Sequence, residues 1–212
     1  MPQNILLALE LIGTVAFAVS GATVGISKKM DIFGVITLGV ITSVGGGVIR
    51  DVILGCTPPA TFQNPVYALL AILISVIIFF PAVRRFLFKK QKVYESFLLI
   101  TDSVGLGIFT VVGIEVAVFA GHSNFFLLLF VGLVTGTGGG VMRDILAGNT
   151  PYIFIKHFYA TASLIGGTVC VLLWNFCSPS AAVYGGALCV FVLRFLAARF
   201  RWSLPKAENH FE

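Results

Sequence analysis

Two arginine-aspartate pairs stand inside strongly apolar segments of this sequence, and each pair follows three consecutive glycines. The first segment, GGGVIRD, covers Gly45 to Asp51, and the second, GGGVMRD, covers Gly138 to Asp144. An ionisable side chain within a membrane span costs about 2.5–3.5 kcal/mol on insertion scales, so such side chains usually face a bundle interior or an aqueous path. The candidate residues of a polar pathway are therefore Arg50, Asp51, Arg143 and Asp144.

The glycine triplets indicate where the helices that carry these pairs could bend or break. Each glycine costs about 1 kcal/mol relative to alanine inside a helix, so three in a row favour a kink. A broken helix exposes backbone carbonyls, which must face protein or water inside a membrane and can replace the hydration shell of a cation. Nearby hydroxyls are oxygen ligands of the same kind. The predicted pathway lining is Thr42, Ser43, Gly45, Gly46, Gly47, Thr135, Thr137, Gly138, Gly139 and Gly140.

A competing interpretation of the glycines is that they only allow neighbouring helices to approach closely. Such packing uses small residues four positions apart on one helix face, a spacing present at Gly21 and Gly25. A consecutive triplet spreads around the helix and mainly weakens it, so we favour the kink for the two triplets.

The elements that position these residues are membrane helices. The chain is 58% hydrophobic and 11% charged, with a mean hydropathy of +1.00, far from the usual ~45–50% apolar and ~25% charged residues. A bilayer core about 30 Å thick needs about 20 apolar residues per helix. The composition therefore predicts an all-α membrane protein with seven transmembrane helices, near 5–26, 32–54, 65–83, 96–119, 125–147, 157–176 and 180–198.

The glycine-arginine segments belong to an internal duplication. Residues 45–58 and 138–151 share nine identities in fourteen positions at an offset of 93. Because each copy contains three spans, the second copy enters the membrane from the other side. Inverted repeats with glycine-interrupted helices point to a transport site near the membrane midplane. The predicted segments are repeats at 1–83 and 96–176, a basic cytoplasmic linker at 84–95, a seventh helix at 177–200 and a cytoplasmic tail at 201–212.

The basic residues predict the orientation of the chain. Nearly all loop lysines and arginines fall on one side of the seven spans, including Lys28, Lys29, Arg84, Arg85, Lys156, Arg199 and Lys206. By the positive-inside rule that side is cytoplasmic. We expect a multi-pass protein of the inner (plasma) membrane with its N-terminus outside and its C-terminus in the cytoplasm. The net charge of +5 reports this topology, and a nucleic-acid partner would need the charges on one soluble face.

The inverted repeat also suggests carboxylate partners for the arginines. Glu10 and Arg50 fall near the outer surface, whereas Asp102 and Arg143 fall near the inner surface. Adjacent residues on a helix point about 100° apart, so we expect neither arginine to pair with its own neighbouring aspartate. The predicted pairs are Glu10 with Arg50 and Asp102 with Arg143. An alternative is that these charges only fix the topology as interfacial bridges.

The two GGG-x-x-RD segments, on the second and fifth of seven spans arranged as 3+3+1, resemble prokaryotic members of the trimeric intracellular cation (TRIC) channel family. Related bacterial sequences are also described as glycine transporters. The resemblance implies a homotrimer with one pore per subunit, lined by the second and fifth helices where they kink. It further implies permeation by monovalent cations, chiefly K⁺ and less selectively Na⁺. Membrane lipids and permeant ions are then the only other expected partners.

Two functions other than a channel can be tested against the same residues. A secondary transporter for a small zwitterion such as glycine could use the arginines and aspartates to hold a carboxylate and an ammonium group. An aspartyl enzyme would need two carboxylates a few ångströms apart sharing a proton, but Asp51 and Asp144 are predicted near opposite surfaces, so no enzyme is expected. The cysteines and histidines lack metal-ligand spacing. We therefore expect no metal site and no cofactor besides the permeant K⁺ or Na⁺.

Overall fold

The computed structural model describes residues 3–155 and 158–202, and these residues form helices joined by short loops. Six of the helices are long and apolar enough to cross a membrane, so the protein is an all-helical, multi-pass membrane protein. The helices are α1 (Gln3–Ser27), α2 (Ile32–Ile53), α3 (Ala60–Gln63), α4 (Val66–Phe79), α5 (Pro81–Leu87), α6 (Gln91–Phe119), α7 (Phe125–Leu146), α8 (Tyr152–Ile155), α9 (Tyr159–Phe176) and α10 (Pro179–Phe200).

The third predicted span, 65–83, differs most from the observed helices. Helix α4 has only 14 residues, which reach about 21 Å at 1.5 Å per residue, less than the bilayer core of about 30 Å. Pro81 lacks a backbone N–H and disfavours a helical conformation at the preceding residue, and Phe80 is extended with ψ of 138°. The count of seven full spans therefore stays a prediction. Lys156, Lys206 and the predicted tail beyond Trp202 lie outside the described residues.

The helices pack as two similar groups that meet at the centre of the subunit. Helix α1 packs on α2 and α4, and α6 packs in the same way on α7 and α9. The groups join where α2 contacts α7 and α1 contacts α6, while α10 packs on α9 and α6. Phe17 and Phe109 are equivalent positions of the repeat, whose offset is 92 in this upstream part of each copy, and their ring centroids lie 5.3 Å apart. Such a contact between equivalent residues is expected beside a two-fold axis.

The predicted break at the glycine triplets is absent. Helix α2 continues through Gly45–Gly47, and α7 continues through Gly138–Gly140. A Cβ atom on Gly46 would overlap the carbonyl oxygen of Thr135, and one on Gly139 would overlap that of Thr42. Packing was therefore the correct interpretation of the middle glycines, because each consecutive triplet places one glycine on the contact face. A bend without a break stays a prediction.

The same contacts show how α2 and α7 run past each other. Gly46 on α2 meets Thr135 early in α7, whereas Thr42, one turn earlier on α2, meets Gly139, one turn later on α7. Rising residue numbers on one helix thus meet falling numbers on the other, so the two helices are antiparallel through their contact. This direction is the one that an inverted duplication requires.

Candidate functional site

The aspartate of each Arg-Asp pair fastens the end of its helix to the loop that follows. Asp51 Oδ2 accepts a hydrogen bond from the backbone N–H of Ala60 at 2.9 Å, and Asp144 Oδ2 accepts one from Tyr152 at 2.9 Å. Ala60 and Tyr152 are the first residues of α3 and α8, whose N–H groups lack partners within the helix. The positive end of the helix dipole also favours a carboxylate there. The aspartates therefore have the same structural role in both repeats.

Each arginine is bonded to its own neighbour, so the prediction that it would not be is wrong. Arg50 Nε donates to Asp51 Oδ1 at 2.8 Å, and Arg143 Nε donates to Asp144 Oδ1 at 2.9 Å. The angle between adjacent residues separates their Cβ atoms, but the arginine side chain is long enough to fold back across it. Because the aspartate is held by the following loop, this fold-back fixes the guanidinium.

The site around Arg143 is named the inner site after the membrane side predicted for it, and the Arg143 side chain is 0% exposed. Its Nη1 donates to Asp102 Oδ1 at 2.6 Å and to Ser20 Oγ at 2.5 Å, so the predicted pairing with Asp102 is present. The ring centroid of Tyr152 lies 5.0 Å from the guanidinium. Burial raises the pKa of Tyr152 to about 12, so this phenol stays neutral near pH 7.

A second guanidinium enters the inner site from α10. Arg194 is 3% exposed, its Nη2 lies 4.0 Å from Asp102 Oδ2, and its guanidinium stands 4.8 Å from the ring centroid of Tyr159. A Cβ on Gly140 would lie 2.7 Å from the Tyr159 hydroxyl, so this tyrosine fills the space beside the third glycine. Arg194 was not among the predicted site residues, although a single arginine within the apolar stretch 180–198 is the signal that could have found it.

The site around Arg50, named the outer site after its predicted membrane side, has a different set of contacts. Glu10 Oε2 accepts a hydrogen bond from the hydroxyl of Tyr67 at 2.5 Å, and no ion pair joins Glu10 to Arg50 among the described side chains. The predicted direct pair is therefore wrong, because Arg50 is bonded to Asp51 and Glu10 is bonded to Tyr67. Glu10 and Arg50 do share a cavity of about 40 Å³ with Ser43, which has room for water.

Some of the remaining predicted lining residues border this cavity, and others lie where α2 contacts α7. Ser43 and Gly47 line the cavity. The hydroxyls of Thr42, Thr135 and Thr137 donate to carbonyls four residues earlier on their own helices, at 2.6–2.7 Å. These oxygens keep lone pairs but lie buried. The positions turned toward the opposite helix are Gly45, Gly46, Gly138 and Gly139.

Comparison with known proteins identifies the family. A family model described as glycine transporter matches residues 7–82 and again residues 99–175. A UPF0126 membrane protein from Deinococcus radiodurans is 38% identical over 200 residues, which cover 93% of this chain and 89% of the relative. The chain therefore belongs to the family that the glycine transporter model describes, which is also the family supported by the UPF0126 relative. Because the glycine transporter model matches once in each half, it agrees with the internal duplication.

Solved structures extend the comparison to the fold. A TRIC trimeric intracellular cation channel orthologue from Rhodobacter sphaeroides has a TM-score of 0.86 and 36% identity, covering 94% of this chain and 100% of the orthologue. A structure that explains conductance through TRIC cation channels has a TM-score of 0.86 and 35% identity, and covers 100% of both chains. The resemblance to prokaryotic TRIC channels inferred from the GGG-x-x-RD segments is therefore confirmed.

Proposed function

We propose that this protein is a cation channel with one pathway in each subunit of a homotrimer. The proposal includes passage of monovalent cations, with K⁺ preferred over Na⁺, across the inner (plasma) membrane. The orthologue from Rhodobacter sphaeroides is a trimeric intracellular cation channel at 36% identity, which supports both the function and the assembly. The observation that carries the proposal is the outer cavity. Glu10 and Arg50 line it, and Asp51, which is bonded to Arg50, adds a second carboxylate for the one guanidinium.

One face of α1 supports a route through the subunit. Glu10, Thr14, Phe17 and Ser20 recur at helical spacing, and residues three or four apart are neighbours on one helix face. Glu10 and Thr14 line the outer cavity, whereas Ser20 belongs to the inner site. Phe17 lies between them. In our proposal the ions follow this face from the outer cavity to Arg143.

The proposed route is closed at its centre by two phenylalanines. Phe17 is 1% exposed and packs on Phe109, which also lines the outer cavity. Apolar constrictions of this kind can stop ions by excluding water. Movement of the two rings would join the cavity to Gly140, which lies beside the inner site. Hydroxyl and carbonyl oxygens could then replace the hydration shell of the ion.

The contacts of the arginines favour a channel over a zwitterion carrier. An unpaired guanidinium at a pathway mouth would repel cations, but Asp51 and Asp144 compensate Arg50 and Arg143. Arginines that are already paired are less available to hold a substrate carboxylate. The existing pairing therefore argues against glycine as the substrate.

Single-channel recording tests the proposal. The full chain in a planar bilayer under a KCl gradient should give discrete current steps, and the reversal potential with K⁺ on one side and Na⁺ on the other should indicate preference for K⁺. Uptake of labelled glycine into proteoliposomes is measured in parallel. Saturable glycine uptake without current steps would overturn the channel assignment.

A variant pair tests the central closure in the same recordings. Phe109→Ala should raise the open probability, because it removes one of the two rings between the cavity and the inner site. Phe126→Ala is the matched control, since Phe126 is 77% exposed and does not line the cavity. Equal open probabilities in Phe109→Ala and the unmodified protein would place the closure elsewhere.

A further inference from the structure

The outer site carries more carboxylate than guanidinium. Glu10 and Arg50 line the outer cavity, and Asp51 is bonded to Arg50. Tyr67 donates its hydroxyl to Glu10, and a phenol is neutral near pH 7. Among the described residues, two carboxylates and one guanidinium therefore leave one negative charge at this end of the proposed route.

The inner site has the same number of carboxylates but one guanidinium more. Asp102 and Asp144 both contact Arg143, at 2.6 Å and 2.9 Å. Arg194 is 3% exposed, and its Nη2 lies 4.0 Å from Asp102 Oδ2, whereas Arg143 bonds the other carboxylate oxygen. The charges of the described side chains therefore cancel at this end of the route.

The position of Arg194 indicates that its charge matters more than a directional bond. At 4.0 Å its contact with Asp102 is an ion pair but is too long for a hydrogen bond. Arg143 already has Ser20, Asp102 and Asp144 as partners, so the inner site is built without the second guanidinium. Arg194 belongs to α10, which lies outside the duplication, and the outer site has no guanidinium equivalent to it among the described residues.

We propose that Arg194 makes the pathway rectify, because it cancels the surplus negative charge of the inner site and leaves that of the outer site in place. This inference rests on the proposed channel function. Negative charge at a pathway mouth raises the local concentration of cations, about fivefold for one unit charge about 4 Å away in water. K⁺ then enters more readily from the outer end than from the inner end. Arg194 acts through the charge of Asp102 and needs no contact with the ion.

Unitary currents of the full chain in a planar bilayer test the proposal. With about 0.15 M KCl on both sides the Debye length is about 8 Å, so exposed charges away from the pathway are screened. Currents at equal voltages of opposite sign are compared as the ratio of the larger to the smaller, which does not depend on the direction of insertion. The unmodified chain should give a ratio of about two to five.

Two variants should remove the asymmetry in opposite ways. Arg194→Gln should bring the ratio near 1 by raising the smaller current, because the inner site then also carries a negative charge. Glu10→Gln should bring it near 1 by lowering the larger current. Asp102→Asn makes the inner site positive and should raise the ratio, so the inference stays testable if Arg194→Gln does not fold.

Matched controls separate charge from structure. Arg194→Lys keeps the charge and should keep the ratio, and Asp102→Asn/Arg194→Gln removes one charge of each sign and should restore it. Arg199→Gln removes an exposed arginine of the same helix and should have no effect. Glu95 is exposed and lines a cavity that Arg194 also borders, so Glu95→Gln should likewise leave the ratio unchanged.

The outcomes distinguish this inference from the proposed function. Unitary currents with a ratio near 1 in the unmodified chain, an unchanged ratio in Arg194→Gln, or the same change in Arg199→Gln would overturn the role of Arg194 while the channel function stands. Absence of unitary current from the unmodified chain and every variant would overturn both.

Discussion

The outer and inner Arg-Asp sites are copies of one segment with different surroundings. In both, the aspartate accepts from the arginine and from the first N–H of the next short helix. The outer site borders a cavity and holds Arg50 at 6% exposure, whereas the inner site encloses Arg143 completely. The outer carboxylate Glu10 is bonded to a tyrosine. Its equivalent, Asp102, is bonded to arginine.

The difference shows which part of the duplicated segment has kept its role. The aspartate contacts fix the backbone, and they are the same in both repeats. The groups around each guanidinium differ because α10, which lies outside the duplication, brings Arg194 to the inner site alone. At the inner site, two buried guanidinium groups and two carboxylates therefore compensate one another's charge. At the outer site, water in the cavity can screen the charges.

The largest expected effect is on stability, in two single variants that each remove the arginine of one site. Arg143→Met leaves Asp102 and Asp144 buried with less positive charge, and breaking a buried pair costs about 3–5 kcal/mol. Arg50→Met should cost clearly less, because its site borders the cavity. Thermal unfolding in detergent, followed by tryptophan fluorescence, compares the two variants. Equal losses of stability would mean that the sites do not differ in their access to water.

Alanine substitutions in the triplets compare the middle glycines, whose contacts are the same in both repeats, with the third glycines, whose contacts differ. Gly46→Ala and Gly139→Ala should both destabilise by about 3 kcal/mol, because each new methyl group meets a carbonyl oxygen of the opposite helix. The third glycines should differ from each other. At Gly47 the nearest group to a Cβ is Arg50 Nη2 at 3.8 Å, but at Gly140 it is the Tyr159 hydroxyl at 2.7 Å.

The same unfolding measurement on all four variants provides the controls. We expect near-normal stability for Gly47→Ala and an intermediate loss for Gly140→Ala. If Gly47→Ala is as damaging as Gly46→Ala, the triplet acts through helix flexibility, as its sequence predicts, and not through close contact of α2 and α7.

The features that could be predicted from the sequence depend on long patterns or on the repeat. Continuous apolar stretches located the six long helices, because the bilayer imposes their length and composition. The pairing of Asp102 with Arg143 followed from equivalent depth in an inverted repeat. The same reasoning failed for Glu10 and Arg50, since the hydroxyl of Tyr67 binds Glu10 while Arg50 is bonded to Asp51.

Other features depended on contacts that only the packed structure contains. Three glycines lower the cost of a bend, but the close approach of Thr135 to Gly46 keeps α2 packed as a continuous helix. The bond between Arg50 and Asp51 needs the loop at Ala60 to hold the carboxylate in place. Arg194 enters the inner site from outside the duplication, so comparison of the repeats could not place it.

Two hydroxyl groups allow a finer comparison of the sites. Ser20→Ala removes a 2.5 Å bond to the buried Arg143, and hydrogen bonds to charged groups contribute about 1.5–3 kcal/mol. Tyr67→Phe removes an equally short bond to Glu10, but water in the cavity can replace it, so the loss of stability should be about 0.5 kcal/mol. Thermal unfolding measures both variants. A larger loss for Tyr67→Phe would show that the outer cavity is dry.

The last comparison concerns ion flow and not stability. Glu10→Gln keeps an oxygen that can accept from Tyr67, so the fold should not change while the outer cavity loses its excess negative charge. A unit charge about 4 Å away in water is worth about 1 kcal/mol, so K⁺ conductance should fall about fivefold. Glu95→Gln is the control, because Glu95 is exposed and lines another cavity. The two conductances are compared at low salt, where screening is weakest. If the variants conduct equally, Glu10 does not attract the permeant ion, and the outer cavity has only a structural role.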